Sequence, residues 1–429
     1  MSTLLLASVL VLRGATVHTA TGPAIPNGVV VIDGGRISAV GGAGTPIPAG
    51  ATVVDAAGKH VAPAFFAPAS LVGLVEIPAV RATNDVSEIA EINPEARPDV
   101  AMNLDSETLP VTRSNGVLFA ALAPRGSTFP GAASVVTLNG WTREDACVKC
   151  PAAVLVEWPE MAIDRRADAR PSARVQERRR DEALDLIRRT FRDAAAYRAA
   201  RGAEGKAGVP AHDTVAPFGA LGAVLDGSIP LVVRAERKAQ IDAALRFRDE
   251  DLKGTKARLV ILGGYDAPKS AAALAERKIP VILDTVLELP MREDEPYDAP
   301  FTKAAELAKA GVVVAIGNGQ TTMAAATTRD LPNHAAMAVS FGLDRLEALR
   351  AITLNPARIF GVEARIGSLE AGKDASLAVW TGDPLQATST VTALYEKGAA
   401  LDLSDRHKRL WERYRSRPKP AAPVSAGGR

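Results

Sequence analysis

Between residues 8 and 62 short apolar runs broken by Gly and Pro predict strands at Leu10–Leu12, Val29–Asp33, Ile37–Val40 and Thr52–Asp55. From about Pro63 to Ile359 the pattern changes. Continuous apolar runs at Val117–Leu122, Ala153–Glu157, Leu231–Arg234, Arg258–Leu262, Pro280–Leu283 and Val312–Ile316 read as parallel strands buried on both faces. They alternate with helical stretches such as Lys238–Phe247, Ser270–Arg277 and Thr302–Ala310. Repeated strand–helix units over this length predict an α/β fold, a (β/α)8 TIM-like barrel over residues 63–360. After Gly361 strands return at Ala375–Trp380 and Val391–Leu394. Residues 401–429 read as a helix followed by a disordered Pro/Ala/Gly-rich tail.

Two segments interrupt the alternation. Glu76 to Asp105 is acidic and Pro-containing and reads as loop. Residues 164–201 carry twelve Arg and seven Asp or Glu, yet Leu184, Ile187, Phe191 and Ala194/Ala195 recur at helical spacing. That stripe predicts a charged amphipathic helix packed on the barrel exterior. The opposite charge of the two segments would also suit assembly.

The 51 Lys and Arg against 49 Asp and Glu leave a formal charge of +2, too balanced for a nucleic-acid surface as the main function. No run approaches the roughly 18 apolar residues of a membrane span. The opening MSTLLLASVLVLRG lacks a basic n-region and reads as a poor signal peptide, with Ser8 to Leu12 entering the first strand. The compartment, cytoplasm or periplasm, stays open. Cys147-Val-Lys-Cys150 contains both cysteines of the chain, so a four-ligand zinc site cannot be built from it. Two ordinary thiols are the leading reading, ahead of a local disulfide and of redox catalysis.

Three blocks carry a family resemblance. Near the C-terminus stand Ala348-Leu-Arg-Ala-Ile-Thr-Leu-Asn-Pro-Ala-Arg-Ile-Phe-Gly361, Arg365-Ile-Gly-Ser-Leu-Glu-Ala-Gly-Lys-Asp-Ala-Ser-Leu-Ala-Val-Trp380 and Gly382-Asp-Pro384. Near the N-terminus stand Leu12-Arg-Gly-Ala-Thr-Val-His18, Gly34-Gly-Arg-Ile-Ser-Ala-Val40 and Val54-Asp-Ala-Ala-Gly-Lys-His60, and between them Pro124-Arg-Gly and Leu138-Asn-Gly-Trp-Thr142. Together they resemble the amidohydrolase superfamily, in its imidazolonepropionase-like branch. The resemblance implies a barrel flanked by a small β-sandwich that both chain ends build, here residues 8–62 and 361–400. It also implies metal-assisted hydrolysis of C–N bonds by one or two divalent ions that activate water, with an Asp as base.

The ligands that chemistry needs are missing where the resemblance places them. The first barrel strand should read Asp-x-His-x-His and instead holds Ala67, Ala69 and Leu71. The bridging Lys or Glu falls near Val154–Glu157, with Leu155 the closest match. Where later strands should supply His, the chain has Arg234, Glu236 and Gly263, and Gly319 takes the place of the catalytic Asp. The five histidines, His18, His60, His212, His334 and His407, include no two spaced along the chain to bind one ion. The expectation is a protein without catalytic residues, metal or cofactor.

Residues two apart on a strand share a face, so Arg234 and Glu236 should both point to the barrel interior or mouth. A buried Arg needs a partner, and Glu236, Glu157 and Asp284 are the candidates. The site they form is expected either to fill a dead pocket or to take a carboxylate-bearing ligand. The leading functional reading is an amidohydrolase-like pseudoenzyme, a structural or regulatory subunit of a homo- or hetero-oligomer with an active paralogue, or a ligand-binding module. The alternative is an active C–N hydrolase whose one or two divalent ions rest on Glu157, Glu236 and Asp284, a carboxylate set better suited to Mg²⁺ or Mn²⁺ than to zinc.

Overall fold

A computed structural model describes residues 9–206 and 208–418; the expected disordered tail from 419 onward lies outside the described residues. The chain opens with strands β1 (Leu10–Val17), β2 (Ile25–Asp33), β3 (Arg36–Gly41), β4 (Thr52–Asp55) and β5 (His60–Pro63). Eight strands follow: β6 (Phe65–Ser70), β7 (Val117–Leu122), β8 (Ala132–Thr137), β9 (Cys147–Glu157), β10 (Leu231–Ala235), β11 (Leu259–Gly263), β12 (Val281–Leu283) and β13 (Val314–Ile316). The last three are β14 (Leu377–Trp380), β15 (Val391–Glu396) and β16 (Ala399–Ala400).

Strands from the two chain ends share one sheet, ordered β16-β15-β14-β5-β1-β2-β3, with β4 also pairing β1. The sheet curls around its own core, where Leu12, Val17, Val30, Ile32, Ile37, Val61, Leu377 and Val379 meet. Alternation does the sorting: Val11, Val29 and Val31 face the other way and form a separate small cluster.

The second sheet runs β6 to β13 in chain order, and β13 returns to lie beside β6, so the barrel is nearly closed. Its strands are buried on both faces, which is why their sequences run apolar rather than alternating. One strand departs from the parallel pattern. β8 pairs antiparallel with both β7 and β9. A parallel neighbour needs a crossover of a dozen or more residues, and 123–131 leaves no room for one, so the chain doubles back. Because β8 reads as a short apolar run without a following helix, its sequence gives no strong signal.

The charged insertion is the helix Ala173–Ala203. Ile187, Phe191 and Ala194 of the expected stripe are buried, and the Phe191 ring sits 6.0 Å from Phe129 and 5.4 Å from Phe247. The stripe therefore packs on the barrel while the arginines stay outside. Cys147 and Cys150 form a disulfide with Cα atoms 6.0 Å apart, so the favoured reading of two free thiols is corrected. The pairing is local, within the start of β9, and spacing alone could not decide it.

The two sheets touch at Phe65 and Trp380, whose rings lie 5.2 Å apart. Beneath them Gly116 adopts φ +82°, and a Cβ there would come within 2.5 Å of the Trp380 ring. Gly116→Ala is expected to destabilise the chain by more than the roughly 1–2 kcal/mol that a left-handed backbone alone costs a residue with a Cβ. Urea unfolding measures this, and an unchanged midpoint would contradict the packing described.

Candidate functional site at the barrel mouth

In a barrel of this kind the ends of the strands converge on one face, and the residues just past each strand line it. Here the expected ligand positions are apolar or empty. Ala67, Ala69 and Leu71 are buried in the barrel core, and so is Leu155 on β9. Gly263 ends β11 at φ +98°, and Gly319 follows β13 at φ +96°.

The charged residues occupy the neighbouring positions. β9 and β10 run in register with Glu157 opposite Arg234, so their side chains share a face. Arg234 Nε donates to Glu157 Oε1 at 3.0 Å, which selects Glu157 among the partners open to it. The Arg234 side chain is only 11% exposed, and its Nη2 is buried without a hydrogen-bond partner. Glu236 Oε2 accepts from the Tyr265 amide at 3.2 Å. Its carboxylate also fills the space above Gly263, where a Cβ would lie 2.3 Å from Oε1. A histidine at position 263 and this placement of Glu236 exclude one another.

Asp284 follows β12. Its backbone oxygen accepts from the Gly319 amide at 2.6 Å, while its Oδ1 is buried and unpartnered. Burial, then the charge of Asp284, pushes the Glu236 carboxyl up to about 7, although the Tyr265 amide, Arg234 and Lys303 pull the other way. Asn318 and Gln320 close the mouth beside β13. Each uses its amide nitrogen on a backbone oxygen, of Ala324 and Ala123 respectively, and leaves its side-chain oxygen buried without a partner.

A second charged layer lies over this one. Asp266 is nearly buried and accepts from Lys269 at 2.8 Å and from both terminal nitrogens of Arg292, at 3.0 and 2.6 Å. Burial would raise its carboxyl, but Arg292, Lys269 and the Lys238 amide outweigh it and hold it at about 2. Buried Lys303 pairs with Glu288 and lies 4.5 Å from the Tyr265 ring centre. Residue types alone did not single out Asp266, Lys303, Asn318 or Gln320. Lys303 in particular reads as an ordinary helix lysine until the 285–298 loop folds over it.

A divalent ion of the kind amidohydrolases use does not fit the residues present at the mouth. Ala67, Ala69, Leu71, Gly263 and Gly319 offer no side-chain donor. Nor do Glu157, Glu236 and Asp284 gather into a ligand set. Among the described residues, one group of three has its ligand atoms within 4.8 Å of one another, and it is His18, His60 and Asp383. His18 Nε2 lies 2.8 Å from His60 Nδ1. This corrects the expectation that no two histidines can serve one ion, because β1 pairs in parallel with β5 and brings together residues 42 positions apart. His212 bonds Glu204, His334 is buried near Thr285, and His407 sits beside Arg329, all elsewhere.

The architecture defines a TIM-like barrel scaffold with an attached β-domain, and the comparisons with known proteins agree. Residues 246–400 match the Amidohydrolase family. An amidohydrolase from Thermotoga maritima MSB8 shares 26% identity with a TM-score of 0.79, covering 92% of this chain and 99% of that one. An adenosine deaminase from Xanthomonas campestris with bound Zn shares the fold at 16% identity and a TM-score of 0.54, over 95% and 97% of the two chains. A curated imidazolonepropionase from Sphingopyxis alaskensis is 48% identical over 50 residues, so the match spans 11% of this chain and 12% of that enzyme's length. The chain thus matches the Amidohydrolase family over residues 246–400, resembles an amidohydrolase structure over most of its length, and carries a local likeness to an imidazolonepropionase.

The raised Glu236 pKa has a signed consequence for stability. A carboxyl held near 7 in the fold and near 4.5 when unfolded is fully favourable to folding below about pH 4. That contribution is lost as pH rises through about 7, because the unfolded chain then releases the proton more easily. At about 1.4 kcal/mol per pKa unit, the wild type should lose up to roughly 3 kcal/mol relative to Glu236→Gln between pH 4 and pH 8. Parallel denaturation curves for the two chains at both pH values would not show that change if Glu236 were solvated.

Proposed function

We propose that this chain is an amidohydrolase-fold pseudoenzyme, and that its barrel mouth binds a small carboxylate-bearing molecule in place of the family's metal ions. The single observation that carries this reading is the Glu236 carboxylate standing in the space above Gly263. On this reading the missing ligand at position 263 is coupled to a new occupant, and the mouth is organised around charged side chains such as the Arg234–Glu157 pair.

The chemistry of the expected ligand follows from the groups left unsatisfied. A buried donor or acceptor without a partner costs about 1–3 kcal/mol, so such groups favour anything that completes them. Arg234 Nη2 offers a donor suited to a carboxylate. Asp284 Oδ1, Asn318 Oδ1 and Gln320 Oε1 offer acceptors suited to N–H groups. A molecule carrying both a carboxylate and an amine or amide matches that inventory. Binding of this kind suits a regulatory or structural subunit working beside copies of itself or beside an active relative.

Hydrolysis and binding are tested together. With Zn²⁺, Mn²⁺ or Mg²⁺ supplied, the purified chain should hydrolyse amide and cyclic-amide substrates no faster than buffer. Metal-dependent turnover that Glu236→Ala abolishes would overturn the proposal. In a thermal-shift screen, amino acids and N-acyl amino acids should raise the melting temperature of the wild type and not of Arg234→Met. An equal shift in both chains would remove the mouth as the binding site.

A further inference from the structure

The group of His18, His60 and Asp383 lies apart from the barrel mouth, in the sheet built by the two chain ends. We propose that it is a binding site for one divalent transition-metal ion of the Zn²⁺ class. This inference does not depend on the reading of the mouth.

The donor set is the first argument. Two imidazole nitrogens and a carboxylate oxygen suit Zn²⁺ and its neighbours, whereas Mg²⁺ and Ca²⁺ prefer all-oxygen surroundings. Three protein ligands with one further position is the arrangement of zinc sites that keep an exchangeable place. The void beside the group has that room. About 550 Å³ in volume, it is lined by His18, His60 and Asp383 together with Thr16, Arg345 and Leu349.

Preorganisation is the second. The His18 amide donates to Val61 O at 2.8 Å, and His60 is held between Thr16 of β1 and Trp380 of β14. Asp383 follows β14 and is anchored on two sides. Arg345 donates to both of its oxygens, Nη2 to Oδ1 at 2.6 Å and Nε to Oδ2 at 2.9 Å, and the Leu385 amide donates to Oδ1 at 2.8 Å. A carboxylate offers about four lone-pair positions. Oδ1 has used two and Oδ2 one, so a single position on Oδ2 remains for an ion. Arg345 and the Leu385 amide would then be the supporting groups that orient a ligand.

The present spacing is that of an unliganded pair. His18 Nε2 and His60 Nδ1 are 2.8 Å apart, a hydrogen-bond distance that holds one proton between two nitrogens. With Zn–N near 2.0–2.1 Å, tetrahedral binding sets the two nitrogens roughly 3.3 Å apart. The rings therefore need to part by about half an ångström. Binding requires the shared proton to leave that bond: the imidazole that carries it takes its other tautomer, with the proton on its outer nitrogen, so both rings meet the ion neutral and no net proton is released. The ion would tie β1 and β5 to the turn after β14, joining positions 18 and 383.

The test uses the full chain, stripped of metal and titrated with Zn²⁺ alone. Calorimetry should give about one ion per chain. In imidazole NMR spectra, the signals of His18 and His60 should move together at that stoichiometry while those of His212, His334 and His407 stay. His18→Ala and His60→Ala should each weaken binding by more than the roughly 10–100-fold that loss of a supporting group costs. Unmoved His18 and His60 signals at saturating Zn²⁺ would overturn the site even if neither variant folds. Binding retained in His60→Ala but lost in Glu236→Gln or Asp284→Asn would put the ion in the barrel mouth. That outcome would defeat this inference and the pseudoenzyme reading together, whereas simple absence of Zn²⁺ binding would defeat this inference alone.

Discussion

The antiparallel ladder between β5 and β14 is the constraint on which the rest of the structure depends. It pairs Pro63 with Leu377 and His60 with Trp380, joining chain segments more than 300 positions apart. Closing a loop of that size costs on the order of 5 kcal/mol in chain entropy, so the contact can form only as part of a larger packed unit. The unit is the chain-end core with the Phe65–Trp380 contact below it. Because β5 runs directly into β6, this ladder also sets where the first barrel strand begins. Barrel and β-domain are thus held to one another by covalent continuity and by packing at the same place.

At the barrel mouth the physical problem is how charged side chains are accommodated among buried strand ends. Burial makes an isolated charge very costly, so charges enter in pairs or neutralise. The mouth uses both devices. Arg234 is matched by Glu157, while Glu236, crowded by Asp284 and by its own burial, is driven toward the protonated form near neutral pH. The absence of a side chain at Gly263 permits this arrangement, since any Cβ would displace the Glu236 carboxylate. Over it, the Asp266, Arg292 and Lys269 network fixes the loop that covers the strand ends.

The same fold therefore holds two chemically different groupings in two places. One is a charge network within the barrel, where the neighbouring parallel strands β9 and β10 supply side chains at matched register. The other is a pair of histidines and an aspartate at the strand ends in the middle of the chain-end sheet, where three strands from opposite ends of the chain converge. The scaffold is the one amidohydrolases use, and its chemistry is decided by which of these places carries the donors.

Much of the architecture was legible in the order of residues, because parallel barrel strands are buried on both faces and must be continuous apolar runs. Val117–Leu122 and Leu231–Ala235 declare themselves in that way, as does the buried stripe of the charged helix. That Ala67, Ala69, Leu71, Gly263 and Gly319 bring no side-chain donor atoms is a matter of residue type and holds in any fold. The tertiary structure decided what depended on partners distant in sequence. It reversed β8, chose Glu157 for Arg234, folded a loop over Lys303 and brought His18 against His60 and Asp383. Local pattern reports the solvent each residue prefers, whereas a site is defined by which distant residues share a few ångströms, and only the pairing of β1, β5 and β14 sets that.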